Sequence, residues 1–180
     1  MIGAFTLSEL ASELGLSVTL SALKKDATFS AVTTDSRNMS AGDLYVALKG
    51  ERFNGDEFVE EALTKGAVAA VTHQSDAQAD AQRLVVDDTL SALATLARLN
   101  RDRSSAKVIA LTGSQGKTSV KEMIGSILKA KAPTLITAEN LNNTIGVPLT
   151  LLRLEARHEF AVIEMGANGA GEIAVSVAAT

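Results

Sequence analysis

The chain has 180 residues, of which 46% are hydrophobic and 21% charged, with a formal net charge of −4 at pH 7. This balance is that of a globular protein, and the missing basic excess argues against a general nucleic-acid binder. No cysteine is present, which excludes disulfides and thiolate metal sites, and no apolar run approaches the ~20 residues of a membrane span.

Residues 1–85 carry the pattern of a small α/β unit. A first helix is predicted to begin at the capping box of Thr6 and Glu9 and to end at Gly15. A second helix follows a polar loop and ends at Gly66. Short strands are predicted from their apolar patterns at residues 44–48, 67–71 and 84–86.

Residues 86–180 alternate between strand and helix patterns. Strands are predicted at residues 108–111, 134–137 and 160–163. Helices are predicted from Asp88 or Thr89 to the polar segment at Asn100, over 117–130, and from Pro148. The helix over 117–130 presents one apolar face, made of Val120, Met123, Ile124, Ile127 and Leu128. This order implies a parallel sheet, which we expect to be part of a larger, truncated domain because few strands are readable.

The strongest chemical signal follows the first of these strands. A strand-to-helix loop directs backbone N–H groups at a phosphate from the positive end of the helix dipole. Glycines allow close approach, a lysine neutralises the β and γ phosphates, and the next hydroxyl is placed to bind Mg²⁺. The residues in question are Gly113, Ser114, Gln115, Gly116, Lys117, Thr118 and Ser119. Leu111 stands where the general pattern has glycine, so the loop is a shorter variant, and a tight turn with a solvated lysine is the alternative.

Two further groups follow predicted strands at their carboxyl ends, where open α/β sheets bind ligands. Glu164 is placed there to share Mg²⁺ with Thr118, and a solvated surface carboxylate is the alternative. Asn142 and Asn143 offer uncharged hydrogen-bonding groups to a polar substrate, although an Asn-rich turn before a proline would also explain them. The two histidines lack partners at ligand spacing, so both are interpreted as structural or exposed.

Five segments together resemble the Mur ligase family of bacterial cell-wall synthesis, and within it the branch that adds D-alanyl-D-alanine. They are residues 34–37, 42–50, 112–123, 140–152 and 163–174. The short phosphate loop is itself similar to the Mur variant. The resemblance implies an α/β protein with a small substrate-binding domain at 1–85. A truncated parallel-sheet P-loop ATPase domain would follow it at 86–180.

The resemblance also implies a reaction. A cytoplasmic, ADP-forming ligase of peptidoglycan synthesis would use ATP and Mg²⁺ to join D-Ala-D-Ala to UDP-MurNAc-tripeptide through an acyl phosphate. Lys117 would stabilise the transferring phosphoryl group, and Thr118 with Glu164 would hold Mg²⁺. Asn142 and Asn143 would line the substrate channel. Contacts to the UDP-linked substrate are expected from Ser36, Arg37, Lys49, Asn54 and, in a supporting role, Asn168.

Two positions depart from the family, which often has histidine in place of Asp56 and glycine in place of Glu139. By resemblance, the family's carbamylated lysine and its C-terminal domain would lie beyond Thr180, so we expect this chain alone to be inactive. A monomer is expected. Two other functions remain open, a P-loop kinase or NTPase and a stand-alone UDP-sugar binding module.

Overall fold

The computed structural model describes residues 1–16, 27–50, 53–73, 82–167 and 169–180. The chain forms two compact units, one of Gly3–Ala92 and one of Met1–Ile2 with Leu93–Thr180. This division falls inside a helix, and the domain boundary expected between residues 85 and 86 stays a prediction. None of the described helices is both long enough and apolar enough to cross a membrane.

The first unit is built from short strands and helices. In chain order its described elements are β1 (Phe5–Thr6), α1 (Leu7–Glu13), β2 (Thr28–Phe29), β3 (Val32–Thr33), β4 (Leu44–Val46), β5 (Lys49–Gly50), β6 (Phe53–Asn54), α2 (Val59–Thr64), β7 (Ala69–Thr72), β8 (Arg83–Val85) and the start of α3 (Thr89–Asp102). Strands β3, β4, β7 and β8 form a parallel sheet in that order. Strand β1 pairs antiparallel with β2, and β5 pairs antiparallel with β6. Short 3₁₀ helices span Ser36–Asn38 and Gly55–Phe58.

Local signals explain where these elements form. The Thr6 hydroxyl accepts a 3.0 Å hydrogen bond from the Glu9 N–H, which confirms the predicted start of α1. The strand predicted at 44–48 is shorter, Leu44–Val46, and Tyr45 is buried along with its two neighbours. Because successive side chains point to opposite faces, the burial of all three residues shows that both faces of β4 are covered, as is usual in a parallel sheet.

The second unit continues α3 and adds a smaller parallel sheet. Its further elements are β9 (Lys107–Leu111), α4 (Lys117–Lys129), β10 (Thr134–Ile136), α5 (Gly146–Leu151), β11 (Phe160–Glu164) and α6 (Glu172–Ala179). All three predicted strands are confirmed, and among the described residues the sheet has the order β10-β11-β9. Strand β11 therefore occupies the centre of this sheet although it comes last in the sequence.

Helix α4 forms as predicted, but three residues of its apolar face, Val120, Met123 and Ile127, are exposed, while Ile124 and Leu128 are partly buried. Met123 is 58% exposed and Ile127 is 63% exposed. The helix instead packs on β10 and β11, and the residues it buries are Lys121 and Gly125. The Ile136 side chain occupies the space that a Cβ at Gly125 would need. Hydrophobic periodicity thus identified a helix but not the side on which it packs.

Two details of the helices differ from the sequence predictions. Asn100, expected to open a polar segment that closes the helix, is fully buried inside α3. Its Oδ1 accepts a 2.7 Å hydrogen bond from the Ile2 N–H, and its Nδ2 donates a 2.8 Å bond to the Leu151 carbonyl. Burial is tolerated because these bonds satisfy the amide. Helix α5 begins at Gly146, before Pro148, which lies in its first turn.

Candidate functional site

The three strands of the second sheet end at one edge. Leu111, the last residue of β9, pairs with Glu164, the last residue of β11. In the same sheet Ile136, the last residue of β10, pairs with Val162. Because the strands are parallel, the loops that follow them leave the same edge, which is where α/β sheets bind ligands.

The phosphate-loop residues predicted from the sequence run from the end of β9 into the first turn of α4. Gly116 precedes the helix with a φ of 75°, a left-handed conformation that favours glycine. At Gly113 an added Cβ would come no closer than 3.7 Å to another protein atom outside its chain neighbours. Gly113 is therefore not required by packing within the protein.

Lys117 begins α4 and turns back over the loop. Its Nζ donates a 2.7 Å hydrogen bond to the Gly113 carbonyl. The first N–H groups of a helix have no acceptor within the helix, so the loop presents both a cation and backbone donors. Ser114, Gln115 and Ser119 are exposed along this segment. Such an arrangement can bind a phosphate chain.

Glu164 connects the loop with the rest of the edge. Its side chain is 1% exposed, and its Oε1 accepts hydrogen bonds from Thr118 Oγ1 at 3.3 Å and Asn142 Nδ2 at 2.9 Å. Its backbone N–H donates to Thr137 Oγ1 at 2.9 Å. Three residues predicted from separate motifs therefore meet at one carboxylate oxygen.

The second oxygen of this carboxylate is differently placed. Glu164 Oε2 is buried and has no hydrogen-bond partner, and Lys121 Nζ lies 3.8 Å away. Sequence analysis did not select Lys121. A signal was available, since Lys121 follows Lys117 by one helical turn and so lies on the same side of α4.

The oxygens at this edge fit a magnesium ion. Mg²⁺ is usually held by one or two carboxylates together with the phosphates of its substrate. Thr118 and Glu164 supply a hydroxyl and a carboxylate, and their oxygens Oγ1 and Oε1 lie 3.3 Å apart at the end of the phosphate loop. Within the described residues no cluster of three or more His, Asp or Glu side chains offers a richer metal site.

The side chains of the two predicted asparagines make different contacts in the structure. Asn142 contacts Glu164 through its side chain, and its carbonyl accepts a 2.7 Å bond from the Gly166 N–H. Asn143 is exposed, and its Oδ1 accepts from the N–H groups of Ile145 at 3.2 Å and Gly146 at 2.7 Å. The amide of Asn143 therefore supports the start of α5. Asn168 lies outside the described residues.

A pocket of about 520 Å³ lies in the first unit. Its lining residues are Thr34, Asp35, Ser36, Arg37, Tyr45, Phe53, Phe58 and Glu61. Two of the predicted substrate contacts, Ser36 and Arg37, thus share a concave surface. Lys49 and Asn54 are not among its lining residues but pair with each other in the β5–β6 ladder. Sequence analysis missed both phenylalanines, whose rings stack with centroids 5.6 Å apart.

Arg37 and Asp35 form a bidentate pair at the pocket. Arg37 Nε donates to Asp35 Oδ1 and a terminal nitrogen donates to Oδ2, both at 2.8 Å. The Arg37 side chain, and then its N–H, lower the pKa of Asp35 to about 2. Burial and the nearby Asp56 carboxylate raise the pKa of Tyr45 to about 12, and its hydroxyl donates to the Gly55 carbonyl at 3.0 Å. The Arg37 side chain is held in place by this pair but remains 83% exposed.

The two histidines have structural partners. Asp56 is buried, and its Oδ1 accepts from Thr72 Oγ1 at 2.6 Å and from the His73 N–H at 3.1 Å. Its Oδ2 lies 3.2 Å from His73 Nδ1. His73 therefore has a partner, which its position in the sequence did not indicate.

His158 is buried, and its Nδ1 accepts a 3.0 Å bond from the Glu155 N–H. Burial is the largest cause that lowers the pKa of His158.

Comparison with protein families matches both units of the chain. The model of the Mur ligase family catalytic domain matches residues 28–101. The model of the Mur ligase middle domain matches residues 111–179. The second match covers the phosphate loop, Asn142 and Glu164, so it includes the whole edge described above.

Individual relatives agree. The UDP-N-acetylmuramoyl-tripeptide–D-alanyl-D-alanine ligase of Escherichia coli (strain K12) is 51% identical over 155 residues, which are 86% of this chain and 34% of the relative. The enzyme of that name from Bacillus subtilis (strain 168) is 42% identical over 144 residues, 79% of this chain and 32% of the relative. The chain thus spans about a third of the length of these relatives.

Solved structures of related proteins also superpose on this chain. A crystal structure of MurF from Acinetobacter baumannii superposes with a TM-score of 0.84 at 40% identity, covering 97% of this chain and 38% of that one. The MurF ligase from Thermotoga maritima, solved in complex with ADP, has a TM-score of 0.77 at 34% identity, covering 83% of this chain and 35% of that one. Since the two matching models together span most of the sequence, the chain belongs to the Mur ligase family.

Proposed function

We propose that the chain provides the UDP-substrate domain and part of the ATP-binding domain of a MurF-type ligase. This enzyme would join D-Ala-D-Ala to UDP-MurNAc-tripeptide in peptidoglycan synthesis, working in the cytoplasm as a monomer. The observation that carries the proposal is the Glu164 carboxylate, to which both Thr118 of the phosphate loop and Asn142 of the loop after β10 donate hydrogen bonds.

The proposed reaction has two steps, and the first of them transfers a negatively charged phosphoryl group. The terminal carboxylate of the tripeptide attacks the γ-phosphorus of ATP, and the bond to ADP breaks to leave an acyl phosphate. The amine of D-Ala-D-Ala then attacks the acyl carbon, and inorganic phosphate leaves from the tetrahedral intermediate. Phosphoryl transfer is accelerated mainly by positioning and by neutralising charge on the transferred group. Lys117 and the N–H groups at the start of α4 are suited to that task.

Lys117 would have to change partner when a nucleotide binds. Its Nζ now donates to the Gly113 carbonyl, and a phosphate oxygen is a stronger acceptor for an ammonium than a neutral carbonyl. Thr118 and Glu164 would hold Mg²⁺, which when bound neutralises negative charge on the β and γ phosphates. Asn142 would orient Glu164, and Asn143 would lie beside it at the substrate channel.

The pocket of the first unit would receive the uridine diphosphate end of the substrate. Arg37 offers an exposed guanidinium for a phosphate, and Ser36 lies beside it. Phe53, which is 49% exposed, offers an aromatic surface on which a base can stack. Lys49 and Asn54 are proposed as further contacts to this end, and Asn168 as a supporting residue of the substrate channel. Binding the remote uridine end would position the reacting carboxylate near ATP.

A two-dimensional NMR titration of the ¹⁵N-labelled chain tests the proposal. UDP-MurNAc-tripeptide should shift the signals of residues 34–37 and Phe53, and ADP with Mg²⁺ should separately shift those of residues 113–119. A folded spectrum that neither ligand moves would contradict the proposal. We expect no product from this chain alone, because it spans only about a third of its relatives' length; release of ADP that depends on both substrates would contradict that expectation.

Each alternative predicts another outcome. A P-loop kinase would transfer phosphate to a hydroxyl acceptor, and it would leave the pocket of the first unit without a role. Membership in the Mur ligase family argues against it. A UDP-sugar binding module would show the shifts at residues 34–37 but none at residues 113–119.

A further inference from the structure

We propose that Lys121 is a positioning residue that orients the Glu164 carboxylate for the metal. This inference rests on the proposed function, since it assumes that Glu164 holds Mg²⁺ beside a bound nucleotide. Lys121 would touch neither the nucleotide nor the ion. It would act through Glu164, and neither sequence analysis nor the predicted ligand set includes it.

Burial is the first observation. The Lys121 side chain is 2% exposed, although a lysine on a surface helix normally extends into water. A buried ammonium is costly unless oxygen atoms surround it. Its Nζ donates to the Thr137 carbonyl at 3.0 Å and lies 3.0 Å from Glu122 Oε1 and 3.8 Å from Glu164 Oε2.

The two carboxylate oxygens of Glu164 therefore have different surroundings. Oε1 faces the hydroxyl of Thr118 and the amide of Asn142 at the loop edge. Oε2 is buried without a hydrogen-bond partner, and the Lys121 ammonium lies within ion-pair distance of it. The cation compensates the buried negative charge and favours this rotamer. Oε1 is consequently kept on the side where Thr118 and the phosphates would meet the metal.

A purely structural role for Lys121 predicts a different result. Lys121 also connects α4 to the end of β10 through the Thr137 carbonyl, and that bond alone could hold the helix in place. Loss of a mechanical connection would disturb the whole phosphate loop and weaken nucleotide binding with or without metal. Loss of a positioning charge would weaken metal binding selectively.

The test uses Mn²⁺ as a spectroscopic probe for the magnesium site. Free Mn²⁺ is measured by electron paramagnetic resonance in the presence of ADP, and metal-free ADP binding is measured by calorimetry. Lys121→Met should weaken Mn²⁺ binding about 10–100-fold, the usual effect of removing a group that supports a metal ligand. Metal-free ADP binding should change less than about threefold. Lys129→Met, an exposed lysine of the same helix, is the matched control and should change neither.

Equal losses with and without metal would overturn the proposal and leave Lys121 a mechanical connection. Unchanged Mn²⁺ binding in Lys121→Met would overturn it too, while the proposed function would stand. If the wild-type chain with ADP binds no Mn²⁺, the metal site of the proposed function fails, and the positioning role fails with it. Should Lys121→Met not fold, as circular dichroism would reveal, Lys121→Gln removes the charge but keeps a donor; wild-type Mn²⁺ affinity in that variant would equally refute the proposal.

Discussion

The side-chain amide of Asn142 donates a 2.9 Å hydrogen bond to Oε1 of Glu164, which joins the loop after β10 to the end of β11. The same oxygen accepts the Thr118 hydroxyl at 3.3 Å. The Glu164 carboxylate is therefore held by one partner from the phosphate loop and one from the loop after β10. The phosphate loop and the asparagine segment therefore belong to one site.

Removal of the Asn142 amide should destabilise the second unit. Hydrogen bonds to charged groups contribute about 1.5–3 kcal/mol, so Asn142→Ala should lower the free energy of unfolding by about that amount. Urea denaturation followed by circular dichroism measures the change. Asn140→Ala, an exposed asparagine of the same segment, is the control and should stay within about 0.5 kcal/mol of wild type. Equal effects of the two substitutions would contradict the assignment.

The two glycines of the phosphate loop should respond differently to alanine. Gly116 has a φ of 75°, so Gly116→Ala should lower the free energy of unfolding by about 1–2 kcal/mol. Gly113 is not in the left-handed region and has room for a Cβ, so Gly113→Ala should leave stability unchanged. We expect Gly113→Ala instead to weaken ADP binding, because a Cβ hinders the close approach of a phosphate to the loop backbone. Thermal unfolding and calorimetry separate the two effects, and a reversed pattern would refute the assigned roles.

Glu139 carries backbone strain. Its φ of 45° makes it a non-glycine residue in the left-handed region, which favours glycine. Glu139→Gly should therefore raise the free energy of unfolding by about 1 kcal/mol. Glu139→Ala also removes the exposed carboxylate but keeps the Cβ, so it should give no gain. A matching gain in both variants would point to charge rather than strain.

The pair of Asp35 and Arg37 predicts a titration. The side-chain and backbone hydrogen bonds from Arg37 lower the pKa of Asp35 from 3.8 to about 2. Because the folded-state pKa is depressed, the pair stabilises the fold above pH 4 or so and loses that contribution as the pH falls toward 2. NMR titration of the Asp35 carboxyl should show the low pKa. In Arg37→Gln it should return toward 3.8, and an unchanged value would exclude Arg37 as the cause.

Phe53 should contribute to recognition of the uracil ring. Stacking of a base on an aromatic side chain is worth about 1–3 kcal/mol, so Phe53→Ala should weaken UDP binding about tenfold or more. Phe53→Tyr keeps the ring and should bind UDP within a fewfold of wild type. Calorimetric titration with UDP measures both variants. If Phe53→Ala binds like wild type, the base lies elsewhere.

Short-range patterns in the sequence were sufficient for the phosphate loop and the elements around it. The capping box at Thr6, the strand before Gly113 and the helix after Gly116 depend on neighbouring residues only, so their positions can be read from the chain. The position of Glu164 at the end of a predicted strand made it a candidate metal ligand, and the structure brings it to Thr118. Domain roles and ligand contacts remain predictions that the experiments above can test.

Tertiary structure alone decided which residues meet. The central position of β11, the burial of Lys121 and Asn100, and the contact of His73 with Asp56 all join segments that are distant in sequence. Hydrophobic periodicity predicted helix α4 but not the side on which it packs, where the buried residues are Lys121 and Gly125. A polar residue becomes buried only where the fold supplies its hydrogen-bonding partners, and the arrangement of strands in a sheet, rather than local sequence, determines where those partners are.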